Sequence, residues 1–297
     1  MKIHLIQKVI DSDYVQEAKL ASACSLPYSL INYEALVDDN NVNIALKRIQ
    51  KTKEFRAALY RGWMMKPEKY AILYHALKNY GVKLINSPAQ YQHCHYLPES
   101  YPIIQEMTPK TLWIKNGDDF SQEAIMKMLK PFANHSVILK DYVKSQKHYW
   151  HEACFIPSTT DSVVVSKIVQ RFLELQGGQP EGGLVFRQYV AFESIGSHSK
   201  SKMPLSLEYR IFFFNKKTVT VYPYWNEGEY PKEALPLKQF EKIAQRVDSH
   251  FFTMDVAKSS DKGWLIIELG DAQVAGLPDN ANIEAFYRRL ASLENEA

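Results

Sequence analysis

The chain has 297 residues, of which 46% are hydrophobic, 12% aromatic and 23% charged, with a formal net charge of +3. That length allows one to three domains with their own cores, and the charge is too mild for a nucleic-acid or membrane surface, which shows as dense Lys/Arg clusters. No apolar run approaches the roughly 20 residues of a membrane span, the N-terminus turns polar too early for a signal peptide, and three widely spaced cysteines favour a reducing, cytoplasmic setting over a disulfide framework.

In chain order, IHLIQKVI (3–10) reads as a strand and YVQEAKLASAC (14–24) as a helix. AALYRGWM (57–64) is a second strand. Pro67 opens a helix with Tyr70, Leu73, Leu77 and Tyr80 at helical spacing and Gly81 at its end. VKLI (82–85) is a third strand, so the first ninety residues predict βαβ units on a small open sheet. From Pro88 to Pro109 the chain reads as loop, rich in Pro, Tyr and His. TLWI (111–114) is a strand, and 121–132 a helix capped by Ser121, with Asp118 and Asp119 near its positive end. The pattern then turns strongly β: VILKDYV (137–143), HEACFIP (151–157), GLVFRQYVAF (183–192), LEYRIFFFN (207–215), TVTVYPYW (218–225) and WLIIEL (264–269), with helices over 161–177 and 237–251. The expected fold class is mixed: a small N-terminal α/β domain over 1–90, then an α+β domain with antiparallel sheets over 91–297.

Three constellations carry chemistry. FFTMDVA (251–257) and WLIIELGDAQ (264–273) flank a turn, so a hairpin brings Asp255 and Glu268 side by side. Two such carboxylates repel, and a hard divalent cation removes the penalty; two solvated strand-end acids are the competing reading. In SVILKDYVKSQKHYW, Lys140 follows an apolar strand, and Lys144 and Lys147 follow in a loop that can fold over a phosphate; edge-strand lysines that blunt aggregation are the alternative. In LVFRQYVAFES the strand breaks at Gln188-Tyr189-Val190, a hinge whose backbone can meet a planar base edge, with Glu193 beyond it. Arg210, inside the aromatic strand LEYRIFF, needs an anion, either Glu208 or a phosphate.

The order of these features resembles the ATP-grasp superfamily, and within it the clade named for two conserved arginines and a lysine. INSPAQYQHCHYLPESYP, VILKDYVKS, LVFRQYV, EYRIFF and IIELGDAQVAGLP carry the resemblance, from about Tyr60 to Pro278. It implies a pre-ATP-grasp-like first domain, a nucleotide-binding lid over about 110–187 and a catalytic core over about 188–297. It sets Lys140 on the phosphates or near the adenine, Lys144 and Lys147 in a mobile loop, Gln188, Tyr189 and Val190 at the adenine and Glu193 at the ribose. Arg210 would contact the transferring phosphate and, with Lys144, serve catalysis; Asp255 and Glu268 would hold Mg²⁺. The superfamily's usual Glu-x-Asn ending is altered here, since Gly270 stands at the Asn position, and Asp271 is the substitute ligand. Lys115 can supply a first lysine before the 121–132 helix, and Arg61 is either a clade arginine or a cation at a strand end.

Rival sites are weaker. His93, Cys94, His95, His148, His151 and Cys154 lack the paired spacing of a structural zinc site. Cys154 with His151 is a conceivable nucleophile, but a small buried hydrophobe suits its strand. VYPYWNEGEY (221–230) pairs aromatics that can pack or stack with an acidic loop that can face a cationic substrate. The resemblance implies a Mg²⁺- and ATP-dependent ligase that joins a carboxylate to an amine through an acylphosphate and releases ADP and phosphate. An ATP-binding interaction protein without turnover, or a phosphotransferase acting on a hydroxyl, uses the same residues. The expected partners are ATP and unidentified carboxylate and amine substrates, with no membrane or nucleic acid; a homodimer is allowed.

Overall fold

The computed structural model describes residues 2–6, 11–197, 199, 204–232, 234–279 and 281–295. Two compact units divide the chain: Met1–Cys94, Ser194–Val256 and Glu268–Ala297 form the first, and His95–Glu193 with Ala257–Ile267 form the second. The division expected at residue 90 follows sequence order alone, whereas the first unit is built from three separate stretches.

The first unit opens with β1 (Lys2–Ile6), α1 (Ser12–Ala23), β2 (Tyr28–Ile31), α2 (Tyr33–Val37), α3 (Val42–Ala45), β3 (Arg56–Arg61), α4 (Pro67–Lys78) and β4 (Val82–Leu84). Its strands form a parallel sheet in the order β2-β1-β3-β4, as βαβ patterning predicts. The expected strand 3–10 ends at Ile6, and its remainder lies outside the described residues. Pro67 sits in the first turn of α4, where its missing N–H costs nothing, and Tyr70, Leu73, Tyr74 and Leu77 are buried at a helical period. Each such side chain contributes about 1.5–3 kcal/mol on leaving water.

The loop expected between Pro88 and Pro109 is instead mostly helical: α5 (Pro88–His95) and α6 (Leu97–Ile104), then a single 3₁₀ turn over Gln105–Met107. The Ser87 hydroxyl accepts from the Gln90 N–H at 3.3 Å, and the Gln90 side chain accepts from the Ser87 N–H at 2.9 Å. That reciprocal pair is a capping box around a first-turn proline. Pro98 likewise falls in the first turn of α6.

The second unit carries β5 (Thr111–Lys115), α7 (Gln122–Leu129), β6 (Val137–Lys140), β7 (Phe155–Ile156), α8 (Ser162–Leu175) and β8 (Gly183–Gln188). Its sheet is antiparallel, ordered β5-β8-β6-β7. The strand expected at 151–157 shrinks to two residues, because a π-helical turn takes Trp150–Cys154. Asp161 caps α8 through the Val163 and Val164 N–H groups, and Val165, Ile168, Val169 and Phe172 pack onto the sheet.

The chain then adds β9 (Ser194–Ser197), β10 (Pro204–Ser206), β11 (Glu208–Phe214), β12 (Lys217–Pro223), α9 (Leu237–Ala244), β13 (Phe251–Ser259), β14 (Gly263–Asp271) and α10 (Ile283–Asn295). The order β12-β11-β13-β14 makes a further four-stranded sheet, of which β12, β11, β13 up to Val256 and β14 from Glu268 belong to the first unit, while β9 and β10 pair separately. The helix predicted to reach residue 251 stops at Ala244, and β13 begins at Phe251. Helix α10 packs Phe286, Tyr287 and Leu290 into a core shared with Tyr14, Phe212 and Phe251. Among the described residues no helix is long and apolar enough to cross a membrane.

Arg61, fully buried at the end of β3, shows what ties this unit together. Its guanidinium meets the Glu17 carboxylate through Nε and Nη2, both at 2.9 Å, and donates through Nη1 to the Ala272 and Ala275 carbonyls. The Tyr287 hydroxyl donates to the same carboxylate. Arg61 is a structural cation in this unit.

Candidate active site

In the first unit the second sheet sets a cation against carboxylates. Arg210 lies on β11, inside an otherwise apolar aromatic run, with its side chain 21% exposed. Its Nε and Nη2 donate to the two Asp255 carboxylate oxygens at 2.8 and 2.7 Å. Two parallel bonds of this kind fix both orientation and charge. Glu208 is not the partner, since its carboxylate accepts from Ser206 Oγ at 2.8 Å. Burial alone would favour the neutral guanidine, but the Asp255 charge and hydrogen bonds outweigh it and hold Arg210 above its ordinary value. The guanidinium carbon sits 5.0 Å over the Tyr224 ring. Burial, and then the Asp255 charge, push the Tyr224 phenol up, so it stays neutral.

Strand register decides which acids join. The Ala272 N–H donates to the Phe251 carbonyl at 3.2 Å, and Thr253 Oγ donates to the Gly270 carbonyl at 3.5 Å. Position 251 thus meets 272 and 253 meets 270, so the antiparallel count brings Asp255 opposite Glu268. Side chains alternate along a strand, which puts Glu268 and Gly270 on the Asp255 face and Asp271 on the other. Asp271 is correspondingly bound elsewhere: it is 1% exposed and accepts from Asn86 Nδ2 at 2.6 Å and from the Gln273 N–H at 3.0 Å. The expectation that Asp271 replaces an asparagine ligand is corrected by this parity. Gly270 has a spatial cause: a Cβ there would stand 2.7 Å from Thr253 Oγ. Asp255 and Glu268 remain as two hard oxygen donors on one face of adjacent strands, and that donor set suits Mg²⁺, which takes one or two carboxylates plus phosphate oxygens.

A cavity of about 410 Å³ opens at Arg210, lined also by Tyr224, Trp225, Asn226, Glu227 and Asp279.

The second unit gathers the remaining candidates. Lys140 ends β6, 7% exposed, and bridges to Ser145. Between them Asp141 accepts from the Val143 and Lys144 N–H groups and folds the turn. Lys144 and Lys147 are exposed, Lys147 opening a short 3₁₀ turn. Burial pushes the Cys154 thiol up to about 11, with the Lys147 and Lys140 charges opposing it. That thiol stays protonated, unsuited to a nucleophile. Gln188 ends β8. Its N–H donates to the Lys110 carbonyl at 2.8 Å, and that of Tyr189 to Ser136 at 2.9 Å. The Tyr189 ring stands edge-on to Phe155 and Trp150, at 5.2 and 6.1 Å. Val190 is buried, and Glu193 pairs with Lys258 at 3.3 Å. Lys115 is exposed at the end of β5. The sequence reading passed over Trp150 and Phe155, whose only signal was aromatic residues close to lysines; Tyr224 lies in VYPYWNEGEY, already read as aromatics that pack or stack. Among the described residues, no three His, Cys, Asp or Glu side chains gather in a metal-holding group.

Residues 130–290 match the profile described as ATP-grasp domain, R2K clade family 3. No curated protein matches the chain. Among solved structures, a RimK domain ATP-grasp protein from Sphaerobacter thermophilus aligns at TM-score 0.63 and 13% identity, covering 98% of each chain. The D-cycloserine synthetase DcsG aligns at 0.58 and 15%, covering 99% of each. D-alanine–D-alanine ligase from Bacillus anthracis, complexed with ATP, aligns at 0.56 and 12%, covering 100% of this chain and 99% of that one.

Proposed function

The chain belongs to the ATP-grasp domains of R2K clade family 3, and from that premise we propose that it is a Mg²⁺- and ATP-dependent ligase joining a carboxylate to an amine through an acylphosphate. The observation that carries this reading is the Arg210–Asp255 fork, with Glu268 beside it by register and a cavity at the arginine. A substrate carboxylate oxygen attacks the γ-phosphorus of ATP, and the bond to ADP breaks with its electron pair on ADP. The amine nitrogen then attacks the acyl carbon, the carbon–oxygen bond to phosphate breaks, and phosphate leaves with the pair while the amine gives up a proton. No protein nucleophile is needed. Catalysis rests on positioning and on donors aimed at developing charge.

In this reading Arg210 donates to the transferring phosphoryl oxygens, with Lys144 as the second catalytic cation. Lys140 and Lys147 hold phosphates, the Gln188–Tyr189–Val190 backbone and the Tyr189 ring meet the adenine, and Glu193 takes the ribose hydroxyls. Mg²⁺ held by Asp255 and Glu268 supplies neutralisation of phosphate charge. The domain over 1–90, the lid over about 110–187, the core over about 188–297 and the cytoplasmic setting belong to the same proposal. One observation favours a second reading, a nucleotide-binding interaction protein without turnover: with Gly270 backed by Thr253 and Asp271 turned away, the metal keeps two protein ligands.

Incubation with Mg²⁺-ATP and a panel of carboxylates and amines should release ADP and phosphate. AMP and pyrophosphate as the sole products would sink the ligase, and tight ATP binding without turnover selects the second reading. Glu268→Gln should lower kcat by at least about a hundredfold, as loss of a charge-stabilising group does, with an unchanged melting temperature. Full activity in that variant removes Glu268 from the metal set.

A further inference from the structure

Lys144 stands on a turn in which a single neighbour holds both of its backbone polar groups. The Asp141 N–H donates to the Lys144 carbonyl at 2.9 Å, and Asp141 Oδ1 accepts in return from the Lys144 N–H and, at 2.7 Å, from the Val143 N–H. An aspartate that bonds the backbone two and three residues further on closes an Asx turn. Asp141 is 3% exposed, and its second oxygen accepts from Gln176 Nε2 at 3.3 Å, just past the end of α8. The Lys140–Ser145 bridge closes the same turn.

Tyr142 anchors the turn to the rest of the second unit. Its N–H donates to the Glu181 carbonyl at 3.0 Å, and its carbonyl accepts from the Leu97 N–H at 3.1 Å. The ring occupies space that two glycines leave open: a Cβ would stand 2.2 Å from it on Gly182 and 3.0 Å from it on Gly183. It also meets Tyr96 edge-on at 5.5 Å. Lys144 carries its ammonium out of this frame on an exposed side chain. A cation on a free loop gives up the loop's conformational freedom when it meets a phosphate, and a turn fixed beforehand removes that part of the cost. Lys147 lies beyond the closed turn, in its own 3₁₀ segment, so the frame serves Lys144 alone.

We infer that Asp141 is a positioning residue for Lys144: its side chain and its N–H fix the turn from which the Lys144 ammonium reaches the transferring phosphoryl group. The role of Lys144 rests on the ligase reading. Asp141 stands outside the residues of that reading and acts without touching substrate.

The test is a calorimetric titration of the full chain, in Mg²⁺, with the β,γ-imido analogue of ATP and with ADP, which lacks the phosphoryl group in question. Asp141→Ala should weaken the analogue about three- to tenfold, part of the roughly tenfold or more that a charged hydrogen bond is worth, and should change ADP by less than about twofold. Asp141→Asn keeps the Oδ1 acceptor of the turn and should recover the analogue's affinity to within about twofold. In a Lys144→Ala background Asp141→Ala should add less than about twofold, because the two act as one; in a Lys147→Ala background the full factor should remain. A variant that merely loosened the fold would weaken both nucleotides alike and in every background. Equal weakening of analogue and ADP, an undiminished effect without Lys144, or no recovery by asparagine overturns the inference and leaves the ligase reading standing. A wild type that binds neither nucleotide overturns that reading, and the inference with it.

Discussion

At the scale of single residues, the buried charges divide by what compensates them. Arg61 has no exposure and a bidentate carboxylate, so removing that carboxylate strands a cation in the core. Glu17→Ala should cost about 3–5 kcal/mol in urea unfolding, the penalty of an uncompensated buried charge. Tyr287→Phe, which removes a single donor to Glu17, should cost about 1 kcal/mol. Asp141 illustrates the opposite sign. Burial holds its carboxyl above the ordinary value, against the Lys144 and Val143 N–H bonds that pull it down. The fold therefore favours the protonated acid, so this contribution is complete below an aspartate's unfolded value of about 3.9 and is lost as pH rises through the folded one. Asp141→Asn keeps an acceptor oxygen without the charge, and the wild type's melting temperature should fall relative to that variant's between pH 4 and pH 7. A constant difference across that range would show that Asp141 titrates as in the unfolded chain. Arg61 was ambiguous in the sequence because YRGWMM says nothing about Glu17, 44 positions earlier.

At the scale of elements, β13 and β14 hold the most specific constraint. A Cβ on Gly270 would come within 2.7 Å of Thr253 Oγ, and Thr253 is 2% exposed. Gly270→Ala should cost about 1–3 kcal/mol as overpacking, and much of that should disappear in a Thr253→Ala background. A double-mutant cycle measures the coupling, which must be non-additive for side chains in contact. The hairpin and its Asp255–Glu268 pairing were legible from turn residues and alternation. The parity that turns Asp271 away was legible too, since 268 and 271 differ by an odd number, but a motif template pointed the other way. The helices between Pro88 and Ile104 were hidden by composition: proline, histidine and tyrosine suggested a loop, while Ser87-Pro88-Ala89-Gln90 spelled a capping box. Helix α10 shows Ile283, Phe286, Tyr287 and Leu290 at helical spacing, which a reading concentrated on the carboxylates before it passed over.

At the scale of the whole molecule, nucleotide binding is the broadest test. A ligand that binds only the folded chain adds stability as the logarithm of its concentration, about 2.7 kcal/mol at a hundredfold excess over Kd. Mg²⁺-ATP analogue should therefore raise the melting temperature progressively, and Asp255→Asn should blunt the rise; a concentration-independent melt would count against nucleotide binding. The order of lysine, hinge, arginine and carboxylates along the chain made the family legible. Individual partners were not, because the Arg210–Asp255 pairing spans 45 positions, and only folding reveals it.

The buried Arg61 network has a consequence in time. Arg61 and the Ala272 carbonyl it binds are 211 residues apart. At about 5–20 residues per second of synthesis, the arginine waits about 10 to 40 s for its last acceptors to be made. The second unit draws mostly on one continuous stretch, His95–Glu193, so its own β8, β6 and β5 can pair during that interval. The first unit can thus close around that cation only once the Ala272 and Ala275 carbonyls have been made.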